Sequence, residues 1–225
     1  MWLEEIFSKR ELEEKTRNLY YSYKATGSSF DVIFEDIFSI SYRVAFKDMP
    51  YDECMLKLLG KYYPNEWFVK NVLRKKRIKN HSFVFEFPIN NSRADAVEIG
   101  KKLSCYEIKT KYDSLDRLSR QIEDYAKFFE YVYVVCSSDK VNKVTDIIPE
   151  YCGIISYKDR SNCSLKTVIK AQKSPKIDVR GVLNGFKIGE LKSSFKSTDR
   201  TFIASKFSSD LIMEKYKDCL ISRCS

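Results

Sequence analysis

The apolar run YVYVVC at 131–136 constrains the fold of this chain more than any other segment. Six such residues in succession are typical of a strand that is buried on both faces, and such strands belong to partly parallel sheets that helices cover. The stretch 113–130 carries apolar residues at alternating steps of three and four, which predicts an amphipathic helix with Asp113 as its N-cap. The pattern therefore predicts the α/β class.

Three further strands are predicted ahead of this helix, and a short helix and another strand after the buried run. They are strands at 82–89, 93–99 and 103–110, with a turn at 100–102, then a helix near 139–147 and a strand at 153–157. Sequence before this region is mainly helical, with breaks at 24–29 and 47–50, and Asn65 is expected to cap a helix after Pro64. The sequence after 176 is again helical and basic. We thus expect a helical N-terminal region (1–64), an α/β core (65–158) and a C-terminal helical region packed on or beside the core (159–225).

The predicted hairpin carries charged residues in a fixed register. Counting back from a three-residue turn places Asp95 opposite Glu107 and Arg93 opposite Lys109, on the side that continues as an apolar face. The other side of the hairpin is apolar as well, so both sides are expected to be covered. Two carboxylates so placed need a cation, and with a backbone carbonyl they form a ligand set that Mg²⁺ prefers. A cross-strand network that pairs Arg93 with Glu107 and Asp95 with Lys109 is the alternative interpretation.

Composition limits the chemistry and suggests a partner. The seven cysteines contain no C-x-x-C pair, and the single histidine, His81, is expected to be a loop or surface residue. Zinc-finger sites and paired-histidine mechanisms are therefore disfavoured. The net charge of +9 indicates a polyanionic partner, nucleic acid before an anionic membrane, although its densest run, 74–79, also suits a solvated helix end. No apolar run is long enough to span a bilayer and the first residues do not form a signal peptide, so we expect a cytoplasmic protein.

The ordered motifs of this region resemble a known superfamily. RAD, then YEIKT after the hairpin, then RLSRQIEDY on a helix and VYVV on a strand are similar to the PD-(D/E)xK phosphodiesterases, and more closely to a bacterial family within them, over roughly 60–158. The resemblance implies a restriction-endonuclease-like α/β/α core, αβββαβ in order, with a mixed sheet and helical additions at both ends. The usual motif has proline before the aspartate, where this chain has Ala94.

The resemblance also implies roles for individual residues. Asp95 and Glu107 would bind Mg²⁺, for which Mn²⁺ can substitute, and the Ile108 carbonyl would be a further ligand. Lys109 would orient the attacking water and stabilise charge on the phosphate. Gln121 would face the site from the polar side of its helix, or else be a solvated helix residue.

Further residues have weaker assignments. Glu66 is expected to complete the metal shell or simply to favour a helix start, and Glu86 on the first strand is a further candidate to face the site. Tyr125 belongs to the apolar stripe and is interpreted as core. Nucleic acid is the expected partner, with DNA favoured over RNA, and the residues expected to contact it are Arg93, Arg117, Arg74, Lys75 and Lys76.

Three functions follow from these patterns. The leading hypothesis is a metal-dependent nuclease that hydrolyses phosphodiester bonds with two carboxylates and a lysine, working as a monomer or as a homodimer. The alternative is a nucleic-acid-binding protein with an inactive site, acting in a mobile-element or defence system. The third is a small-molecule or protein-interaction domain of such a system.

Overall fold

A computed structural model of the chain describes residues 3–47, 49–77, 82–89, 92–158 and 164–224. The chain divides into two compact units, Met1–Val72 with Lys158–Ser164 and Leu73–Tyr157 with Leu165–Ser225. His81 and the side chain of Lys76 lie outside the described residues.

Helices make up most of the described part of the first unit before residue 63. They are α1 (Leu3–Ile6), α2 (Lys9–Ala25), α3 (Phe30–Phe38), α4 (Tyr42–Phe46) and α5 (Tyr51–Tyr62). A capping box begins α2, because the Ser8 hydroxyl accepts the Glu11 N–H at 3.3 Å while the Glu11 carboxylate accepts the Ser8 N–H at 2.8 Å. The helices end and resume at the two breaks that the sequence predicts.

The helix α6 (Glu66–Arg77) follows Pro64, as predicted. Asn65 caps it, since its side-chain oxygen accepts the backbone N–H of Phe68 at 3.0 Å. The boundary between the two units falls within this helix, after Val72.

A six-stranded sheet forms the centre of the second unit. Its strands are β1 (Ser82–Ile89), β2 (Ser92–Ile99), β3 (Leu103–Lys109), β4 (Tyr131–Ser137), β5 (Gly153–Tyr157) and β6 (Leu165–Ile169). They lie in chain order, with β3, β4 and β5 parallel to one another and the remaining pairs antiparallel. The prediction of an α/β chain with a mixed sheet is confirmed.

The hairpin register is the predicted one. Ile99 pairs with Leu103 and Ala96 with Tyr106, and the same count, continued by one residue, places Asp95 opposite Glu107. The paired stretch of β2 and β3 ends at Ala96, while β3 remains paired with β4 as far as Lys109. The backbone pairing of the two strands therefore ends where the carboxylates lie.

The connection after β3 differs from the prediction. The helix α7 (Leu118–Ala126) begins four residues later than expected, with Arg117 in place of Asp113 at the N-cap position. Asp113 does not cap this helix, because its carboxylate accepts the backbone N–H and the hydroxyl of Thr110, each at 2.7 Å. Asp113 instead stabilises the loop that follows β3 through these two hydrogen bonds.

The remaining helices enclose one face of the sheet. They are α8 (Val141–Thr145), α9 (Val179–Asn184), α10 (Ile188–Phe195), α11 (Arg200–Lys206) and α12 (Ser209–Cys224). One hydrophobic core joins them to α7 and to the hairpin, and its members include Val97, Leu103, Cys105, Ile122, Tyr125, Leu183, Leu191, Tyr216 and Leu220. Each fully buried leucine or isoleucine stabilises the fold by about 1.5–3 kcal/mol.

The opposite face of the central strands is buried too. Ala96, Tyr106, Ile108, Val135 and Ile155 are at most 3% exposed. A strand covered on both faces is what the apolar run at 131–136 predicted.

The segment that became β6 was expected to belong to a helical region. Its five residues show no clean alternation, and three of them are exposed at the edge of the sheet. None of the described helices has the length and apolar content needed to cross a membrane.

Candidate active site

A glutamate and a lysine are buried together at the carboxyl end of β3. Glu107 and Lys109 are 2% and 7% exposed, and the lysine Nζ lies 2.7 Å from Glu107 Oε1. They share a face because they are two residues apart in a strand. Burying two charges costs several kcal/mol each, so such a pair persists only with close geometry and further hydrogen bonds.

Those further hydrogen bonds come from α7. Gln121 and Tyr125 lie one turn apart on this helix, and both reach the pair. Lys109 Nζ donates to Gln121 Oε1 at 3.0 Å, and the Tyr125 hydroxyl lies 2.8 Å from Glu107 Oε2. The structure thus places Gln121 in hydrogen-bond contact with Lys109.

Tyr125 is the site residue that the sequence analysis missed. Its ring lies in the core, as the apolar stripe predicts, but its hydroxyl lies 2.7 Å from the Arg93 carbonyl oxygen as well as near Glu107. Burial first, and then the charge of Glu107, raise the pKa of Tyr125 above its ordinary value, so the hydroxyl remains a donor. A buried tyrosine usually needs a hydrogen-bond partner for its hydroxyl. This requirement is the one sign in the sequence that Tyr125 contacts a polar group of the site.

Asp95 closes the site from β2. Its Oδ2 accepts the backbone N–H of Ile108 at 2.6 Å, just beyond the last paired residue of the hairpin. A side-chain carboxylate thus takes the place of a backbone acceptor where β2 leaves β3. This bond holds Asp95 beside the residues that carry the buried pair.

Glu86 stands opposite Asp95 on β1, in the left-handed region with φ of 55°. That conformation is uncommon for a residue other than glycine. Carboxylate oxygens of Glu86 and Asp95 approach within 4.8 Å, and Arg93 Nε lies 2.7 Å from Glu86 Oε2. The Arg93 side chain is 67% exposed, so it pairs with Glu86 at the surface and not with Glu107 as the alternative network supposed.

The loop from Thr110 to Asp113 follows directly on Lys109. Besides the bonds from Thr110 to the Asp113 carboxylate, the Asp113 N–H donates to the Thr110 carbonyl at 3.2 Å. Lys140 donates to the carbonyl oxygens of both Thr110, at 2.7 Å, and Asp113. The loop is therefore fixed at both ends.

The other predicted residues belong to α6 or to the segment just before α7. Glu66 begins α6 in the first unit and ion-pairs with Lys70 one turn on, so its role as a metal ligand stays a prediction. Arg117 is exposed immediately before α7, and Arg74 and Lys75 are exposed on α6. Their contact with nucleic acid also stays a prediction.

The donor set near Glu107 fits a hard divalent cation. Asp95 and Glu107 supply carboxylate oxygens, and the Ile108 carbonyl follows Glu107 directly on β3. An ionised carboxylate has about four lone-pair positions, of which Glu107 uses two for Lys109 and Tyr125. Oxygen ligands remain for a cation without breaking those bonds.

The positive charge of the chain is concentrated in the second unit. Residues 165–225 hold thirteen lysines and arginines against six acidic residues, whereas residues 1–72 hold ten against twelve. Five of the exposed lysines in that segment are Lys166, Lys170, Lys187, Lys192 and Lys196. The unit that carries the candidate site is thus also the basic one.

Comparison with known proteins relates most of the chain to a phage family. The family described as Bacteriophage P4 protein cII matches residues 66–223, which run from the start of α6 into α12. Protein cII of Enterobacteria phage P4 is 25% identical over 158 residues, which are 69% of this chain and 55% of that protein, so the chain spans little more than half of the relative's length. No solved structure matches. Because the family match takes in well over half of its residues, the chain belongs to the Bacteriophage P4 protein cII family.

Proposed function

We propose that the protein is a metal-dependent nuclease that hydrolyses phosphodiester bonds of nucleic acid, with DNA favoured over RNA, on a restriction-endonuclease-like core of the PD-(D/E)xK type. The observation that carries the proposal is the buried Glu107–Lys109 pair, with Gln121 bonded to the lysine and Asp95 bonded to the intervening strand residue. The order α6, β1, β2, β3, α7, β4 agrees with the αβββαβ arrangement of that core.

Asp95, Glu107 and the Ile108 carbonyl would hold Mg²⁺, or Mn²⁺ in its place. Such an ion lowers the pKa of bound water and offsets the charge that develops on the phosphate. Tyr125 and Lys109 fix the two oxygens of Glu107, so the carboxylate is oriented before substrate arrives.

Lys109 would position the water and stabilise the phosphate. Its ammonium is held by Glu107 at 2.7 Å and by Gln121 at 3.0 Å, which fixes two of its three donor directions. The third is available for a water or a phosphate oxygen. A cation fixed in a buried site stabilises transition-state charge more strongly than one in water.

The substrate class rests on charge. The basic surplus of residues 165–225 suits a polyanion, and neutralised phosphates supply most of the affinity of non-specific nucleic-acid binding. Binding should therefore weaken steeply as salt rises.

Cleavage assays with a neutral lysine variant test the proposal. Wild type and Lys109→Met are incubated with plasmid, single-stranded DNA and structured RNA in Mg²⁺, Mn²⁺ or EDTA. We expect wild type to cut with either metal and not in EDTA, and the variant to lose at least about 100-fold in rate. Lys9→Ala, at an exposed lysine of α2 in the first unit, is the matched control and should cut normally.

Loss of the fold must be separated from loss of chemistry, because removing one partner of a buried ion pair costs about 3–5 kcal/mol. The double variant Glu107→Gln with Lys109→Met restores neutrality, so it should recover most of the free energy of unfolding yet remain inactive. Wild-type protein that cuts none of these substrates with either metal would refute the nuclease proposal.

The charge distribution also favours a second candidate, a nucleic-acid-binding protein with an inactive site. The basic segment 165–225 is separate in sequence from Asp95 and Glu107, so it could bind nucleic acid without them. Salt-dependent binding that Asp95→Ala leaves unchanged, with no cleavage by wild type, would select this function.

A further inference from the structure

The loop that leaves the site strand presents an aromatic side chain to solvent. Tyr112 is 42% exposed, although large aromatic side chains are usually mostly buried. The Lys111 Nζ lies 4.8 Å from the centre of its ring, so a cation accompanies the aromatic face. An exposed ring beside a lysine is the pairing that single-stranded nucleic acid binds, by stacking of a base and attraction of its phosphate.

The backbone that carries Tyr112 is held firmly. The Tyr112 N–H lies 3.3 Å from the Thr110 hydroxyl, whose proton goes to the Asp113 carboxylate. Lys140 bonds the carbonyl oxygens on both sides of the loop. A ring on a fixed loop loses little conformational entropy when a ligand stacks on it.

The position of the loop places the ring close to the candidate site. Tyr112 is three residues beyond Lys109, so their Cα atoms are at most about 11 Å apart. Since nucleotides rise about 3.4 Å per step, the two Cα atoms are separated by at most about three nucleotides of a strand. The loop also joins β3, which carries Glu107, to α7, which carries Gln121.

We propose that Tyr112 stacks on an unpaired base next to the phosphate that the site binds, so the preferred substrate is single-stranded or frayed nucleic acid. This inference rests on the proposed function, which identifies the site around Lys109 as the one that binds the phosphate. Bases within a duplex are already stacked on their neighbours, and a ring at the backbone cannot reach their faces without unstacking them. Stacking accepts every base, so the preference is for strandedness and not for sequence.

Binding of a short mixed-sequence oligonucleotide, single-stranded or as its duplex, tests the stacking role. Affinities are measured in parallel with EDTA and with Ca²⁺, for wild type, Tyr112→Ala, Tyr112→Phe and the control Tyr21→Ala, an exposed tyrosine of α2. We expect Tyr112→Ala to weaken single-strand binding on the order of 5- to 100-fold. Tyr112→Phe and Tyr21→Ala should stay within about twofold of wild type, and duplex binding should change little in all variants.

Three results overturn the inference: unchanged single-strand affinity in Tyr112→Ala, an equal loss for single strand and duplex, or no single-strand binding by wild type in either condition. Failure of this inference can be told apart from failure of the nuclease proposal. Metal-dependent cleavage with normal binding by Tyr112→Ala rejects only the stacking role. Tyr112-dependent binding by a wild type that cuts nothing rejects only the nuclease.

Discussion

The Tyr125 hydroxyl connects two strands through one atom. It lies between the carbonyl oxygen of Arg93 on β2 and the carboxylate of Glu107 on β3. With one proton and two acceptors, it donates to one at a time, and the raised pKa of Tyr125 keeps that proton in place at alkaline pH. It therefore positions Glu107 without needing to react itself.

Removing this hydroxyl should affect activity more than stability. For Tyr125→Phe we expect cleavage to fall about 10- to 100-fold and the free energy of unfolding to fall by about 1–2 kcal/mol. Tyr106→Phe is the control, because Tyr106 bonds the buried Glu98 elsewhere on the sheet. Both variants should lose similar stability in urea unfolding, and only the first should cut slowly. Equal cleavage by the two would contradict the positioning role.

At the scale of residues, the sequence located Asp95, Glu107 and Lys109 because strand register is a matter of counting from a short turn. It did not find the part played by Tyr125, since an aromatic residue in an apolar stripe is indistinguishable from core until its hydroxyl partner is known. The sequence also did not predict that Arg93 pairs with Glu86. Glu86 has a positive φ, and without a glycine at that position the sequence carries no sign of this conformation.

At the scale of elements, the two strands of the hairpin and the buried β4 could be predicted, because both the spacing of their apolar residues and their apolar content are typical of strands. The predicted start of α7 was wrong because the Asp113 side chain can either cap a helix or bond the preceding loop. In the structure it accepts the backbone N–H of Thr110. The strand β6 was missed because it is a short edge strand, whose exposed residues give no face to recognise.

Close packing at the start of β5 gives a prediction for Gly153. A Cβ there would lie 2.4 Å from two ring carbons of Tyr133 and 2.7 Å from the Ala171 nitrogen. We expect Gly153→Ala to lower the free energy of unfolding by about 1–3 kcal/mol, measured by urea unfolding. Gly189→Ala, in α10 with nothing within 4 Å of the added carbon, should be neutral or stabilising by up to about 1 kcal/mol. The same effect in both would show that packing around Gly153 is looser than described.

At the scale of the whole molecule, the composition gave only a total charge. Most of the positive charge lies in the unit that contains the sheet. This could not be predicted from the sequence, because the boundary between the units, within α6, was not known. The cysteines were interpreted as reduced thiols, and the five whose side chains are described are free.

Three of these thiols lie in the core of the second unit and should make it sensitive to alkali. Burial raises the pKa of Cys136 and Cys152 to about 12, and that of Cys105 well above its usual range. In the unfolded chain they ionise above about pH 8.5, whereas the folded chain keeps the protons, so stability is full below that pH and declines as pH rises towards the folded values. As the pH rises from 8.5 to 9.5, ionisation of each of these thiols in the unfolded chain should lower the free energy of unfolding by about 1 kcal/mol.

Urea unfolding at the two pH values checks this expectation. Cys152→Ala should be less stable than wild type at neutral pH, because it leaves a small cavity, but its decline with pH should be smaller by about 1 kcal/mol. An identical decline in the variant and wild type would mean that the Cys152 thiol ionises equally in both states.

The buried Glu107–Lys109 pair also bears on how this sequence can change over time. Each residue neutralises the other, and a single replacement leaves a buried charge that costs about 3–5 kcal/mol, comparable to the whole stability of many domains. Selection for folding alone is therefore enough to keep the two together, whether or not the proposed activity is under selection. Asp95 is under no such constraint from that pair, so where the proposed activity is not under selection the aspartate should drift first while the glutamate and lysine persist.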